Sequence, residues 1–179
     1  YDDIQNNERL YKVNILDLKG LKILINSIKP NIIIHLAART DLGFDDTIDN
    51  FEDNTKGVEN IVKICNEFDY VDRLLFTSTI LVCKKGLNPK SDTFFNPQSL
   101  YGESKVIGEK IIRKSLNKKW TIIRPTSIWG PSKGSNYESF FKSILKNQYF
   151  HIKNHSPKIT FGFIGNFCYQ IDLIIKNDN

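Results

Sequence analysis

Asn31-Ile32-Ile33-Ile34-His35-Leu36, running into Ala37-Ala38-Arg39, is the stretch on which the fold turns. A continuous β-branched run without polar alternation has the pattern of a strand buried on both faces, as in parallel sheets. Upstream, Asp17 to Ile28 has the apolar spacing of an amphipathic helix, started by Asp17 and stopped before Pro30, and Leu10 to Ile15 reads as a short strand before it. Downstream, a long helix is expected over Ile48 to Phe68, with Val58, Ile61, Val62 and Cys65 on one side, then a second buried strand from Arg73 to Thr77. Lys84 to Pro97 reads as a loop. The next helix reaches to about Leu116, with Asn96 as its cap and Pro97 in its first turn, and Trp120 to Arg124 is a strand closed by Pro125. Strand and helix alternate four times, which predicts an α/β fold with a parallel sheet and helices on both faces. After Gly130-Pro131 the rhythm changes: Ser139 to Leu145 reads as helix, Ile159 to Phe163 as extended chain and Phe167 to Ile175 as helix. The expected division is therefore 1–130 and 131–179.

A chain of 179 residues suits one domain, or one domain plus part of another. Its 40% hydrophobic and 25% charged content is that of a soluble globular protein. The net charge of +5 raises the question of nucleic acid, but the lysines are scattered, with only short clusters at Lys84-Lys85 and Lys118-Lys119. That is a solvated surface, and no nucleic-acid partner is expected. Cys65, Cys83 and Cys168 are odd in number and have no CxxC or Cys/His spacing, so no metal site is expected and a reducing, cytoplasmic setting is. No apolar stretch approaches the ~20 residues that span a bilayer, which excludes a membrane role at this level. With no methionine and Tyr1 as first residue, the chain is expected to be a fragment.

Tyr101-Gly102-Glu103-Ser104-Lys105 places a phenol and an ammonium one helical turn apart. A free phenol titrates near pH ~10, and a neighbouring cation favours phenolate, so the pair has the parts of an activated base for an alcohol proton. Tyr149-Phe150-His151-Ile152-Lys153 repeats the spacing but reads as strand, where positions four apart lie roughly 13 Å from each other. Ligands of open parallel sheets bind at the carboxyl ends of the strands. Asn14, Ala37-Ala38-Arg39, Ser78-Thr79 and Pro125-Thr126-Ser127 all fall at such ends, with Tyr101 on the helix between the last two.

Five segments, in order, resemble the extended short-chain dehydrogenase/reductase family, the NAD-dependent epimerase/dehydratase group that acts mainly on nucleotide sugars. They are His35-Leu36-Ala37-Ala38, Asn54-Thr55-Lys56-Gly57-Val58-Glu59-Asn60, Phe76-Thr77-Ser78-Thr79, Tyr101 to Lys105 with Glu109, and Arg124 to Pro131. The resemblance implies a truncated Rossmann-like domain with part of a small C-terminal substrate-binding region. It implies Tyr101 as acid/base, Lys105 as holder of the nicotinamide ribose and Thr79, with Ser78 as fallback, as the hydroxyl sharing the reacting oxygen. Substrate is then met by Thr79, Tyr101 and Ser127. The cofactor, NAD or NADP, is met by Asn14, Ile15, Leu36, Ala37, Ala38, Asn54, Thr77, Tyr101, Lys105, Pro125 and Ile128. His35 reads as a structural strand-end histidine, Ala37 and Ala38 suit tight packing as well as cofactor approach, and Asn54 suits an exposed helix start as well as a cofactor contact. A homodimer through the two long helices is also implied.

The departures carry information. The family's Gly-rich phosphate turn is absent, which places it before Tyr1 and implies that these 179 residues alone bind NAD weakly and do not turn over. Sugar 4,6-dehydratases carry Asp-Glu after the catalytic threonine; here Ile80 and Leu81 stand there, which disfavours dehydration and leaves epimerisation or alcohol/ketone redox. Ser127 replaces a frequent asparagine and Cys83 a frequent tyrosine. The competing readings are an NAD(P)H-dependent reductase of a small carbonyl or sugar, and a non-catalytic cofactor-binding regulator with the same fold.

Overall fold

The computed structural model describes residues 9–41, 47–84, 86–131, 137–150 and 160–177. The chain divides into two compact units, Tyr1–Arg124 and Pro125–Asn179. Lys85, Ile159 and the His151 to Lys153 part of the second Tyr/Lys spacing lie outside the described residues.

In the first unit, β1 (Ile32–His35), β2 (Arg73–Thr77) and β3 (Lys119–Ile123) form a parallel sheet in that order, with α1 (Leu18–Ile28), α2 (Lys56–Glu67) and α3 (Leu100–Ser115) as connections or flanks. The fold is α/β with a Rossmann-like parallel sheet. Register sets the face that each side chain occupies: Ile33 lies beside Leu74 and Trp120, and His35 beside Phe76 and Ile122. That row packs on Val58, Ile61, Val62 and Cys65 of α2 and on Ile112 of α3. Leu21 and Ile25 of α1 pack on Ile64 of α2 with Ile33 beneath. The periodicity of α2 read from the sequence is thus the core contact itself.

The central strand β2 is buried on both faces, with Leu74, Leu75 and Phe76 fully enclosed. The same expectation fails for Asn31 to Leu36, because Ile34 is 40% and Leu36 56% exposed. Among the described residues β1 pairs only with β2, so it is an edge, and an edge strand leaves part of its surface uncovered whatever its composition. Leu10 to Ile15 is not a strand either: residues 9–14 are irregular and Ile15-Leu16 form a turn. A strand exists through its ladder, and no described segment pairs with these residues. Tyr149 and Phe150 are likewise not in a strand.

Two helix boundaries also differ. Ile48 to Phe68 is broken into a 3-10 helix, Ile48–Asn54, and α2, with the backbone turning at Thr55 (φ −111°, ψ −72°). The cap of α3 is Ser99, whose hydroxyl accepts from the Gly102 N–H at 3.1 Å, while the Asn96 N–H donates to the Val82 carbonyl and Pro97 lies in the loop. α1 runs as expected, with the Asp17 carboxylate accepting from the Gly20 N–H and Lys29 closing it at positive φ.

The second unit pairs β4 (Ser127–Trp129) with β5 (Phe161–Phe163) in parallel and carries α4 (Glu138–Leu145) and α5 (Ile164–Lys176). It is organised by aromatic contacts: Trp129 tilts against Phe141 and Phe163 at 5.4 and 5.1 Å between centroids, and Tyr137 meets Phe161 edge-on.

Candidate functional site

The ladder of β2 continues one residue past the strand, through the Ser78 N–H donating to the Ile123 carbonyl at 2.7 Å. Thr79 then stands extended, its Oγ1 accepting from the Leu81 N–H and so capping a single 3-10 turn, Ile80–Val82. The first turn of α3 lies directly on that turn. A Cβ on Gly102 would sit 2.4 Å from the Leu81 carbonyl oxygen and 3.2 Å from the Pro97 Cβ, so only glycine permits the approach. The result is that the Thr79 side chain lies close enough to the Tyr101 phenol to favour its ionised form. Gly102→Ala is expected to cost about 1–3 kcal/mol of stability, measured by urea unfolding, and to separate the two hydroxyls, because a backbone carbonyl cannot rotate away.

The electrostatics differ from the sequence expectation in one respect. The Tyr101 phenol is half-buried and its pKa is raised, first by desolvation, with the Thr79 side chain acting in the opposite direction. Burial, not the Lys105 cation, sets the direction, so the phenol itself is neutral at physiological pH. The expected lowering is not seen because loss of solvent around the phenol is the largest influence on it. Here the Lys105 Nζ lies over the Phe76 ring at 4.6 Å, is 2% exposed, and has no ion pair among the described residues. Desolvation lowers its pKa to about 8, with the Glu109 carboxylate pulling it back up. It therefore remains a cation at neutral pH.

Asn54 is fully buried rather than exposed. Its Oδ1 accepts from the Arg39 N–H at 2.8 Å, and its Nδ2 donates both to the Arg39 carbonyl at 2.9 Å and to the Ser104 Oγ at 2.8 Å. One amide thus fastens the backbone after Ala38 to α3, and Ser104 in turn donates to the Tyr101 carbonyl. Three residues on, Gly57 gives room to Ile15, whose Cγ1 lies 2.9 Å from where a Cβ would stand. Three further on, the Asn60 Nδ2 donates to the Ile15 and Leu16 carbonyls. Ser104 and Asn60 were not singled out from the sequence. Their signal was present as Asn-x-x-Gly-x-x-Asn, one side of a helical segment facing the ends of two other elements.

The remaining candidates are placed as follows. Asn14 is exposed, its Oδ1 accepting from the Leu16 N–H, and Ile15 packs into the core. Leu36 and Ala37 are exposed and Ala38 half-buried just past β1. Pro125, Ser127 and Ile128 are half-buried in the second unit, the latter two in β4. Cys83 donates to the Phe94 carbonyl. Within the first unit the structure brings Thr79 and Tyr101 into contact and fastens Ala38-Arg39 to the same helix through Asn54.

The residues present suit a polar, hydroxyl-rich cofactor. His35 Nε2, Thr77 Oγ1 and Ser78 Oγ are buried without a hydrogen-bond partner among the described residues, all at the carboxyl ends of β1 and β2. Each such group costs about 1–3 kcal/mol when left unsatisfied, and functional sites are where proteins keep them. Among the described residues no group of His, Cys, Asp and Glu could hold a metal ion, and no helix is long and apolar enough to cross a membrane.

Comparison with known proteins agrees with this geometry. Dictyostelium discoideum dTDP-D-glucose 4,6-dehydratase is 29% identical over 143 residues, 70% of this chain and 33% of that protein. The Escherichia coli O157:H7 N-acetyl-alpha-D-glucosaminyl-diphospho-ditrans,octacis-undecaprenol 4-epimerase is 28% identical over 135 residues, 71% of this chain and 40% of that protein. The chain therefore spans well under half the length of these two relatives. Among solved structures, the Bacillus cereus UDP-glucuronic acid 4-epimerase in complex with UDP-glucuronic acid and NAD superposes with a TM-score of 0.76 at 18% identity, covering 93% of this chain and 55% of that one. At that identity it speaks for the fold. The model of the NAD dependent epimerase/dehydratase family matches residues 2–178, and the chain belongs to that family.

Proposed function

We propose that this chain carries the acid/base centre of an NAD(P)-dependent enzyme that epimerises or oxidises a nucleotide-activated sugar. The observation that supports it is the Thr79 side chain set against the Tyr101 phenol at the carboxyl end of β2, one helical turn from a buried lysine that remains charged. Vibrio cholerae UDP-glucose 4-epimerase is 29% identical over 126 residues, which favours a sugar nucleotide as substrate.

In this reading Tyr101 and Thr79 share the reacting oxygen. In the oxidising direction phenolate takes the proton of the sugar hydroxyl, and in the reducing direction the neutral phenol returns one to the same oxygen. Because burial favours the neutral phenol, the phenolate depends on a cation in the low-dielectric site, and Lys105 is that cation. Thr79 donates to the developing oxyanion. The bound nicotinamide supplies the hydride acceptor. Lys105, Thr77 and the backbone at Leu36, Ala37 and Ala38, with Asn14, Ile15 and Asn54, would hold NAD or NADP on the first unit. Ile80 and Leu81 cannot transfer protons, which argues for epimerisation or redox over dehydration. Pairing of two copies through α2 and α3 completes the proposal.

A second reading has its own support. Haemophilus influenzae D-erythronate dehydrogenase is 29% identical over 151 residues, 80% of this chain, which favours redox on a small hydroxy acid. The full-length protein, incubated with NAD or NADP and UDP- or dTDP-hexoses, is expected to produce the C4 epimer or keto sugar by NMR. Turnover only of small hydroxy acids would move the assignment to the second reading, and turnover of neither class would refute both.

A further inference from the structure

Glu109 has no role in the chemistry just described, yet it is a carboxylate with no solvent exposure. It lies on α3, four residues after Lys105 and so on the same helical face. Arg124, at the end of β3, donates Nε to Oε1 at 2.8 Å and Nη2 to Oε2 at 2.6 Å, a two-pronged clamp. Arg113 stands 3.8 Å from the same carboxylate. Arg124 also donates to the Asp92 carbonyl at 2.6 Å and lies over Phe95, so the pair joins α3, β3 and the loop before α3. A buried carboxylate with one arginine could be replaced by apolar packing at little cost in stability. Retaining it beside an unpaired buried lysine calls for another account.

We propose that Glu109 is a positioning residue for Lys105: its buried negative charge, fixed by Arg124, keeps the Lys105 ammonium charged inside the protein, where the phenolate of Tyr101 depends on it. This rests on the function proposed above. The groups that face Lys105 are His35 from β1, the Phe76 ring from β2, and Tyr101 and Glu109 from α3, with Arg124 and Arg113 behind Glu109. Of these only Glu109 is negative. Without its charge only Asp92, ion-paired with Arg113, would offset the two arginines, and desolvation, which already lowers Lys105 to about 8, would act without its main opponent. Since the ammonium is the useful form, activity is retained below the Lys105 pKa and lost as pH rises through it; removing the Glu109 charge moves that loss to lower pH.

The test is an NMR titration of Lys105 in isotope-labelled full-length protein, assigned with Lys105→Met, for wild type, Glu109→Gln and Glu109→Asp. Gln keeps one acceptor for Arg124 but no charge, and its Lys105 midpoint is expected to fall by about one unit or more; Asp restores the charge and should recover most of it. The alkaline limb of the kcat/KM profile should move with the midpoint in each variant. An unchanged or raised midpoint in Glu109→Gln would overturn the proposal. Should that variant not fold, the wild-type titration decides: a midpoint near 8 that falls when Arg124→Lys weakens the hold on Glu109 supports it, and an ordinary lysine midpoint overturns it. If the titrations behave as expected but no sugar or hydroxy acid is turned over, the functional reading fails while the role of Glu109 stands.

Discussion

Tyr101→Phe in the full-length protein is expected to lower kcat by about two to four orders of magnitude while leaving cofactor affinity nearly unchanged. The substitution removes one oxygen atom from a half-buried ring and leaves the ring itself in place. Gly102 still lies against the Leu81 carbonyl and Ser99 still caps the helix, so the backbone of α3 has no reason to move. What is lost is the group that, on the proposed function, exchanges a proton with the sugar hydroxyl, and Thr79, which keeps its bond to the Leu81 N–H, cannot replace it. Its hydroxyl titrates far above the range of a phenol. Steady-state kinetics together with calorimetric NAD binding separates the outcomes. A protein that merely binds cofactor would show no change in either, and a variant that keeps wild-type turnover would remove Tyr101 from the mechanism.

The second large effect is on stability. His35 is 4% exposed, stacks on Phe76 with ring centroids 5.6 Å apart, and has a pKa lowered to about 4, by desolvation first and by the Lys105 charge second. A histidine that the fold keeps neutral contributes stability that is fully present above its unfolded value near ~6.5 and is lost as pH falls from there toward 4. The whole contribution is about 3 kcal/mol, a large part of the total for a domain of this size. Urea unfolding at neutral pH and near pH ~4 should show wild type losing that much more than His35→Phe, which keeps the stacked ring and cannot be protonated. Equal losses in both proteins would mean that the imidazole is protonated without cost and that His35 is not enclosed as described.

The parts of this molecule that were legible in the sequence are those fixed by local pattern. The helix from Asp17, the core face of α2 and the strand at Arg73–Thr77 all follow from spacing and caps, and the motif order identified the family. What was not legible depended on partners distant along the chain. Leu10 to Ile15 has strand composition, but no described neighbour supplies a ladder. Ile34 has core composition and lies on an edge. Asn96-Pro97 is as good a helix start as Ser99 until the Val82 carbonyl claims the Asn96 N–H. Asn54 could not be read as a buried clasp, since its partners Arg39 and Ser104 are 15 and 50 residues away. The charge relation at Tyr101 failed for the same reason: helical spacing gives the distance between two residues but not how dry the site is, and here dryness decides the direction.

The contact between Gly102 and Leu81 has an evolutionary corollary. A main-chain oxygen is present whatever amino acid occupies position 81, so the contact that seats the Tyr101 turn does not depend on the side chain of Leu81, while Val82 and Cys83 hold the same helix through Val106. On the proposed function, substitution at Ile80 or Leu81 can therefore reshape the wall that would meet a sugar without removing the seat of Tyr101. A scaffold built this way can change its clientele one residue at a time.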